Sequence, residues 1–313
     1  MLKGQKPTKG SPKQNSFFRR IWNALKALFS SSSVSGIIAN QNSDGSWYNL
    51  YDDQKPIELN KQTNYSSYLA VAIWHFYLIN NDITFLRNHW ESIKRGIIFS
   101  LSLQNDNGAI AWNIDEKGEI DDDYLLTGCS SIAKSLECAI AISQILDHKS
   151  IQKEWRIAHK KLIGAIQNPT GIFDLKKDRS RFSMDSYYPI LGGICSKKTV
   201  SSLISGVIKT FWVQGLGIKC VADEPWVTVA ETSECSIAFK KIGEDEIALE
   251  LLHNAISIVD SRSIPYMGWQ YHENIYWPEE TPPWNSGACS LAADANYQLS
   301  NASALFLKQQ FKS

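Results

Sequence analysis

A Gln-Asn pair returns at a fixed stride in this chain. Gln41-Asn42, Gln104-Asn105 and Gln167-Asn168 stand 63 residues apart, and each Gln is followed four residues later by a glycine, Gly45, Gly108 or Gly171. An aromatic follows each time, as Trp47, Trp112 or Phe173. A repeat of this length holds two helices and their connections, a hairpin that cannot bury its own apolar face and must stack on copies of itself.

The segments between the turns fit that reading. Residues 63–79 are apolar nearly all round and 85–104 carry an apolar stripe with a charged face; 125–146 and 151–167 repeat the contrast. One helix of each pair is therefore expected inside and its partner outside. Continuing the count places buried-type helices from near 184, 228 and 284 and amphipathic ones from near 197, 244 and 302. With a first helix at 17–39 this predicts an all-α fold of about eleven helices, closed as an (α/α) toroid of five to six hairpins. Extended character is confined to residues 217–222. Each Gln-Asn-x-x-Gly turn is expected to end an outer helix through a left-handed glycine or asparagine. The aromatic then packs between hairpins and the Gln amide bonds exposed backbone, so the turns read as structural staples.

Composition narrows the function. Net charge is zero, yet the first 43 residues hold seven Lys/Arg and no acid, leaving the remainder net acidic by seven. Nucleic-acid binding wants positive charge on the folded body, so it is not expected. Residues 1–16 read as a solvated basic arm and 17–313 as one toroid domain, with membrane-surface contact through the arm as the alternative. The apolar run at 17–29 is broken by Arg19, Arg20 and Lys26 and suits neither a signal nor a membrane span. Six cysteines without a CxxC pair point to reduced thiols and a cytoplasmic protein.

In such a toroid all inner helices run the same way, so their N-termini share one rim. The sequence brings there Thr63-Asn64-Tyr65, Thr127-Gly128, Asp185-Ser186-Tyr187-Tyr188, Trp226-Val227-Thr228, Glu231, Glu234 and Trp284-Asn285-Ser286, with Trp277, Glu279 and Glu280 from the preceding loop. Free N–H groups and the helix dipoles favour an anionic or hydroxyl-rich ligand. Asp185, Glu231 and Glu280 are the acid/base candidates. Tyr187, Tyr188, Trp226, Thr228, Glu234, Trp277, Glu279 and Trp284 are the candidates for holding a small-molecule substrate. The plain alternative is that Asp185 caps a helix and the glutamates bond neighbouring loops. No phosphate loop or dinucleotide fingerprint occurs, so no cofactor is expected, and nothing fixes the oligomeric state.

The run Gln41-x-x-x-Gly45-x-Trp47 resembles the QW repeat of the terpenoid cyclase and protein prenyltransferase toroid superfamily. Residues 181–193, 215–234 and 276–288 are similar to those of an uncharacterised bacterial family labelled prenyltransferase-like, over most of 36–300. The resemblance implies an enzyme doing acid/base chemistry on a small isoprenoid or glycosylated substrate. The isoprenoid motifs are poorly met: Glu119-Ile120-Asp121-Asp122 is the nearest approach to DxDD but lies in an acidic run, and neither Asp52-Asp53 nor Asp121-Asp122-Asp123 completes DDxxD. A prenyltransferase zinc site has no histidine at the inner-helix starts, and no metal site is expected. A six-hairpin glycosidase, with carboxylates and stacking aromatics at the same rim, is one alternative. A non-catalytic toroid binding a ligand or peptide is another.

Overall fold

The computed structural model describes residues 31–312 apart from Asp53. The basic arm and the apolar run at 17–29 lie outside the described residues. Helix α1 (Ser31–Ala39) is followed by five pairs of elements. The inner members are α2 (Thr63–Asn80), α4 (Leu126–Ile145), α6 (Met184–Leu191), α8 (Val229–Ile242) and α10 (Pro283–Tyr297). The outer members are α3 (Ile83–Leu101), α5 (Lys149–Gln167), α7 (Lys197–Gly206) and α9 (Asp245–Ser257). Near 302, where a last amphipathic helix was expected, there is a 3-10 turn, Asn301–Ala304. Inner helices pack in sequence, α2 on α4, α4 on α6, α6 on α8 and α8 on α10, and the outer helices cover them. This is the α/α toroid.

Connection lengths set the position of any site. Inner helices pass to outer ones through short turns, 81–82, 146–148, 192–196 and 243–244, whereas the return segments 102–125, 168–183, 207–228 and 258–282 are long. All long segments therefore collect at the rim where inner helices begin. They carry seven short strands, and the stretch before α2 carries three more, against the single extended segment expected. β1 (Leu50–Asp52) pairs with β2 (Lys55–Glu58); β3 (Lys61–Gln62), β4 (Asn113–Ile114) and β5 (Ile120–Asp121) form one antiparallel sheet; β6 (Trp212–Val213) pairs with β7 (Gly217–Ile218). β8 (Trp226–Thr228), β9 (Gly268–Gln270) and β10 (Ile275–Tyr276) form the last.

The Gln-Asn turns act as staples, in a different way from the one expected. Gln41 Nε2 donates to the carbonyl of Gly45 (3.0 Å) and to that of Ser92 on α3 (2.9 Å); Gln104 Nε2 donates to Gly108 (2.9 Å) and to Ala158 on α5 (3.0 Å). Each amide thus ties its turn to the next outer helix. Gly45 and Gly108 have φ of +93° and +96°, and an added Cβ would fall 2.3 and 2.4 Å from the carbonyl oxygens of Arg95 and Lys161. The left-handed residue lies within the turn rather than at the helix end, since Ser102 after α3 is right-handed. In the second turn the residue six past the Gln, Ile110, is the fully buried one, and Trp112 stays half-exposed with Lys177 Nζ 4.8 Å over its ring. The third turn is looser: Gln167 donates to Ile194 (2.9 Å), and no atom stands within 4 Å of a Cβ on Gly171.

The C-terminal segment closes the ring seam at the far end of the inner helices. Leu305 belongs to the core around α2 and α4, while Phe306 packs on both that core and the one around α8 and α10. Gln310 accepts from Trp74 Nε1 (2.8 Å), and its backbone N donates to Glu137 (2.8 Å). Glu137 also pairs at 2.8 Å with the buried Lys134, whose Nζ reaches the carbonyl of Leu305. No helix among the described residues is long and apolar enough to cross a membrane. All six cysteines are free thiols, and Cys129 and Cys138 stand on the same helix.

Candidate active site

Accessibility along the inner helices outlines a cup. On α2, Tyr65 and Tyr68 are 54% and 41% exposed, whereas Ile73, Trp74 and His75 two turns on are buried. On α8, Glu231 and Glu234 are half-buried and residues 235–239 fully so; on α4, burial is continuous from Ile132 to Ser143. The hollow is open at the N-terminal rim and filled below.

Two layers of polar groups face it. In the deeper layer Glu234 receives hydrogen bonds from Tyr187 Oη (3.0 Å) and Tyr188 Oη (3.1 Å), one on each carboxylate oxygen. Burial, and then the neighbouring Glu231, push the Glu234 carboxyl up to about 7, against the pull of the two tyrosines. Tyr68 is open to solvent, yet its hydroxyl is pushed well up by surrounding protein and then by the charge of Glu234. Tyr68 on α2 thus lies within reach of the Glu234 charge on α8.

In the rim layer, one turn nearer the mouth, stand Asp185 and Glu231. Asp185 Oδ2 accepts from Arg179 Nε at 3.2 Å. Burial still dominates and raises its carboxyl to about 6; Arg179 and Thr127 pull it down, and Asp174 pushes it up. The cap of α6 is Ser183, so the carboxylate of Asp185 is not spent on capping. Beside Glu231 lies the Cys220 thiol, pushed up by burial first and by Glu231 next. Asn64 Oδ1, Asn113 Oδ1, Asp123 Oδ2 and Asn285 Oδ1, all near inner-helix starts, are buried acceptors without a donor among the described residues. Such oxygens suit the hydroxyl donors of a polyol.

The structure brings Glu231, Glu234, Tyr187 and Tyr188 together, and separately Trp226 with Trp277, whose carbonyl accepts from Trp226 Nε1 (2.6 Å). Among the described residues no hydrogen bond or ion pair joins Asp185 or Glu280 to the two α8 glutamates. Glu279 and Glu280 are exposed on the loop before α10, with the Glu280 carbonyl held by Met267 N (2.8 Å). Trp284, in the first turn of α10, is 59% exposed, and Thr228, the cap of α8, is buried. The DxDD-like run spans β5, with Glu119 just before it and Asp122 just after it, both exposed, and Asp122 pairs with Lys176. Tyr68, Arg179 and Cys220 are the residues sequence reasoning misses. A faint signal existed for Tyr68, which repeats Tyr65 one turn later. Among the described residues no group of three or more His, Cys, Asp or Glu is placed to hold a metal ion.

No protein-family model matches the sequence. Over 266 residues, 85% of this chain and 72% of the other, it is 34% identical to the MMP endo-(1,4)-3-O-methyl-alpha-D-mannosidase of Mycolicibacterium hassiacum. The fold superposes on a sugar epimerase from a ruminal bacterium with a TM-score of 0.64 at 12% identity, covering 94% of this chain and 85% of that one. It also superposes on the rhamnosidase from Klebsiella oxytoca with rhamnose bound, with a TM-score of 0.60 at 10% identity, covering 90% of this chain and 57% of that one. At such identities the structural likeness is one of fold. With a mannosidase as its relative, this α/α toroid is glycosidase-like. The chain belongs to the family of the M. hassiacum mannosidase. The carbohydrate alternative thereby displaces the isoprenoid one, and membership of the terpenoid cyclase and prenyltransferase group gains no support.

Proposed function

We propose that the chain hydrolyses α-(1,4) linkages within a glycan containing 3-O-methyl-D-mannose, with Asp185 as general acid and Glu231 as general base. The observation that carries this is the 34% identity to a mannosidase across 85% of the chain. Asp185, raised to about 6 by burial, retains a proton into the weakly acidic range and passes it to the glycosidic oxygen as the C1–O bond breaks. Glu231 takes a proton from the water whose oxygen bonds C1. Glu234 beneath it, neutral at the start, keeps a second negative charge away from Glu231. The two catalytic carboxyls stand in the first turns of neighbouring inner helices. An inverting pair stands roughly 6.5–9.5 Å apart and a nucleophile pair about 5–5.5 Å, so the C1 configuration of the product decides which of the two this is.

The test is incubation of the purified chain with α-(1,4)-linked 3-O-methylmannose oligosaccharides, reading new reducing ends by mass spectrometry and C1 configuration by NMR. Asp185→Asn and Glu231→Gln are each expected to lower kcat by about 10²–10⁴ while leaving ligand affinity, and Glu280→Gln to lower it less. Because Asp185 must be protonated, kcat/KM is expected to fall as pH rises through about 6. Absence of cleavage by the wild-type chain, or full turnover in both variants, overturns the assignment.

A further inference from the structure

Trp277 and Trp284 are 54% and 59% exposed, a large apolar area left uncovered beside the cup. Their setting is built rather than loose. Trp226 and Trp277 lie on one face of the β8–β9–β10 sheet, with ring centroids 5.5 Å apart and planes at 79°. Trp226 Nε1 is fixed on the Trp277 carbonyl, and the Trp277 N donates to the carbonyl of Gly268 (3.2 Å). Gly268 has no room for a side chain: an added Cβ would stand 2.7 Å from Trp226 Nε1 and 2.4 Å from the Val227 carbonyl oxygen. The opposite face of the sheet is filled by Trp269 and Tyr276, the latter stacked on Tyr266 at 4.0 Å. Trp226 leads directly through Thr228 into α8, and Trp284 opens α10, so the wall adjoins the rim that carries Glu231.

From this geometry we propose that Trp226, Trp277 and Trp284 form an apolar stacking subsite that selects O-methylated pyranose rings over unmethylated ones. The proposal rests on the glycan reading above. Indole faces stack on the C–H face of a sugar, and a methyl ether adds apolar surface where an unmethylated ring would leave a hydroxyl against a face that offers it no acceptor. Each methyl removed from water is worth roughly fourfold in affinity. Trp226, with its only donor engaged, orients Trp277; Trp277 and Trp284 supply the exposed faces.

The experiment titrates the Glu231→Gln chain, which holds ligand without cleaving it, with methylated and unmethylated α-(1,4)-mannose oligosaccharides of equal length. Calorimetry and tryptophan fluorescence are the readouts. The methylated ligand is expected to bind at least fourfold more tightly. Adding Trp277→Ala or Trp284→Ala is expected to bring the ratio towards one, while Trp277→Phe retains a preference and shows that the fold survives. A preference unchanged in both alanine variants overturns the subsite. So does equal binding of the two ligands, which leaves the glycosidase assignment standing; binding of neither removes both.

Discussion

At the scale of single residues, Glu234 separates what burial does from what charge does. Its carboxyl binds a proton more tightly in the folded chain, at about 7, than at its ordinary value of 4.5, so between those pH values the folded state holds more protons than the unfolded one. Stability from this group is present below about 4.5, is lost as pH rises through about 7, and is flat beyond. Glu234→Gln keeps the two tyrosine bonds' acceptor oxygen on one side and removes the titration. The variant is expected to gain on the wild type across that window by on the order of 3 kcal/mol. Urea midpoints measured from pH 4 to 8 read this directly, with the contribution of Asp185 common to both proteins. Parallel curves for the two would place the proton elsewhere in the cup.

Among the elements, the turns show how a local sequence signal becomes a long-range constraint. Gly45 and Gly108 satisfy two demands at once, a left-handed backbone and contact with the carbonyl of a neighbouring outer helix. Gly171 satisfies only the first. Gly45→Ala and Gly108→Ala are therefore expected to cost roughly 2–5 kcal/mol, from strain plus displacement, and Gly171→Ala roughly 1–2 from strain alone. Equal costs for the three in urea unfolding would show that the contact adds nothing to the backbone conformation.

The same turns mark how far the sequence could be read. Helix starts from α2 to α10 fall within a few residues of those the 63-residue stride and the apolar pattern predict, because periodicity over fifteen or more residues is a strong signal. Strands of two to four residues give no alternation to detect, which is why the sheet that carries Trp226 and Trp277 was invisible. Trp112 drew notice as a tryptophan, but the register of the turn, set by the Gln104 bonds, gives the packed position to Ile110. For the cup, the residues gathered on α6 and α8 were legible as helix starts. Tyr68 was hidden because a helix apolar all round does not reveal which side faces a hollow, and Arg179 because no pattern ties a loop cation to an acid six residues on.

For the molecule as a whole, the C-terminal segment decides whether the hairpins form a ring or an open arc. Its contacts run through a buried ion pair, and such pairs respond asymmetrically: losing one partner strands the other charge, whereas replacing both by apolar groups is often tolerated. Lys134→Met leaves Glu137 without its cation, with Gln310 N as its remaining donor among the described residues, and is expected to cost about 3–5 kcal/mol. Lys134→Met combined with Glu137→Leu is expected to recover most of that loss, short of the bonds to Leu305 and Gln310. Gln310→Ala takes away the side-chain bond to Trp74 while leaving Leu305, Phe306 and Phe311 on their cores, so it isolates the polar latch from the apolar seam. Hydrogen exchange then locates the damage. Faster exchange in α2 and α4 with α8 unchanged is the expected pattern, since among the described residues Gln310 bonds α2 through Trp74 and α4 through Glu137. Uniform acceleration through every inner helix would instead mean that the toroid unfolds as one unit and that its seam has no separate stability.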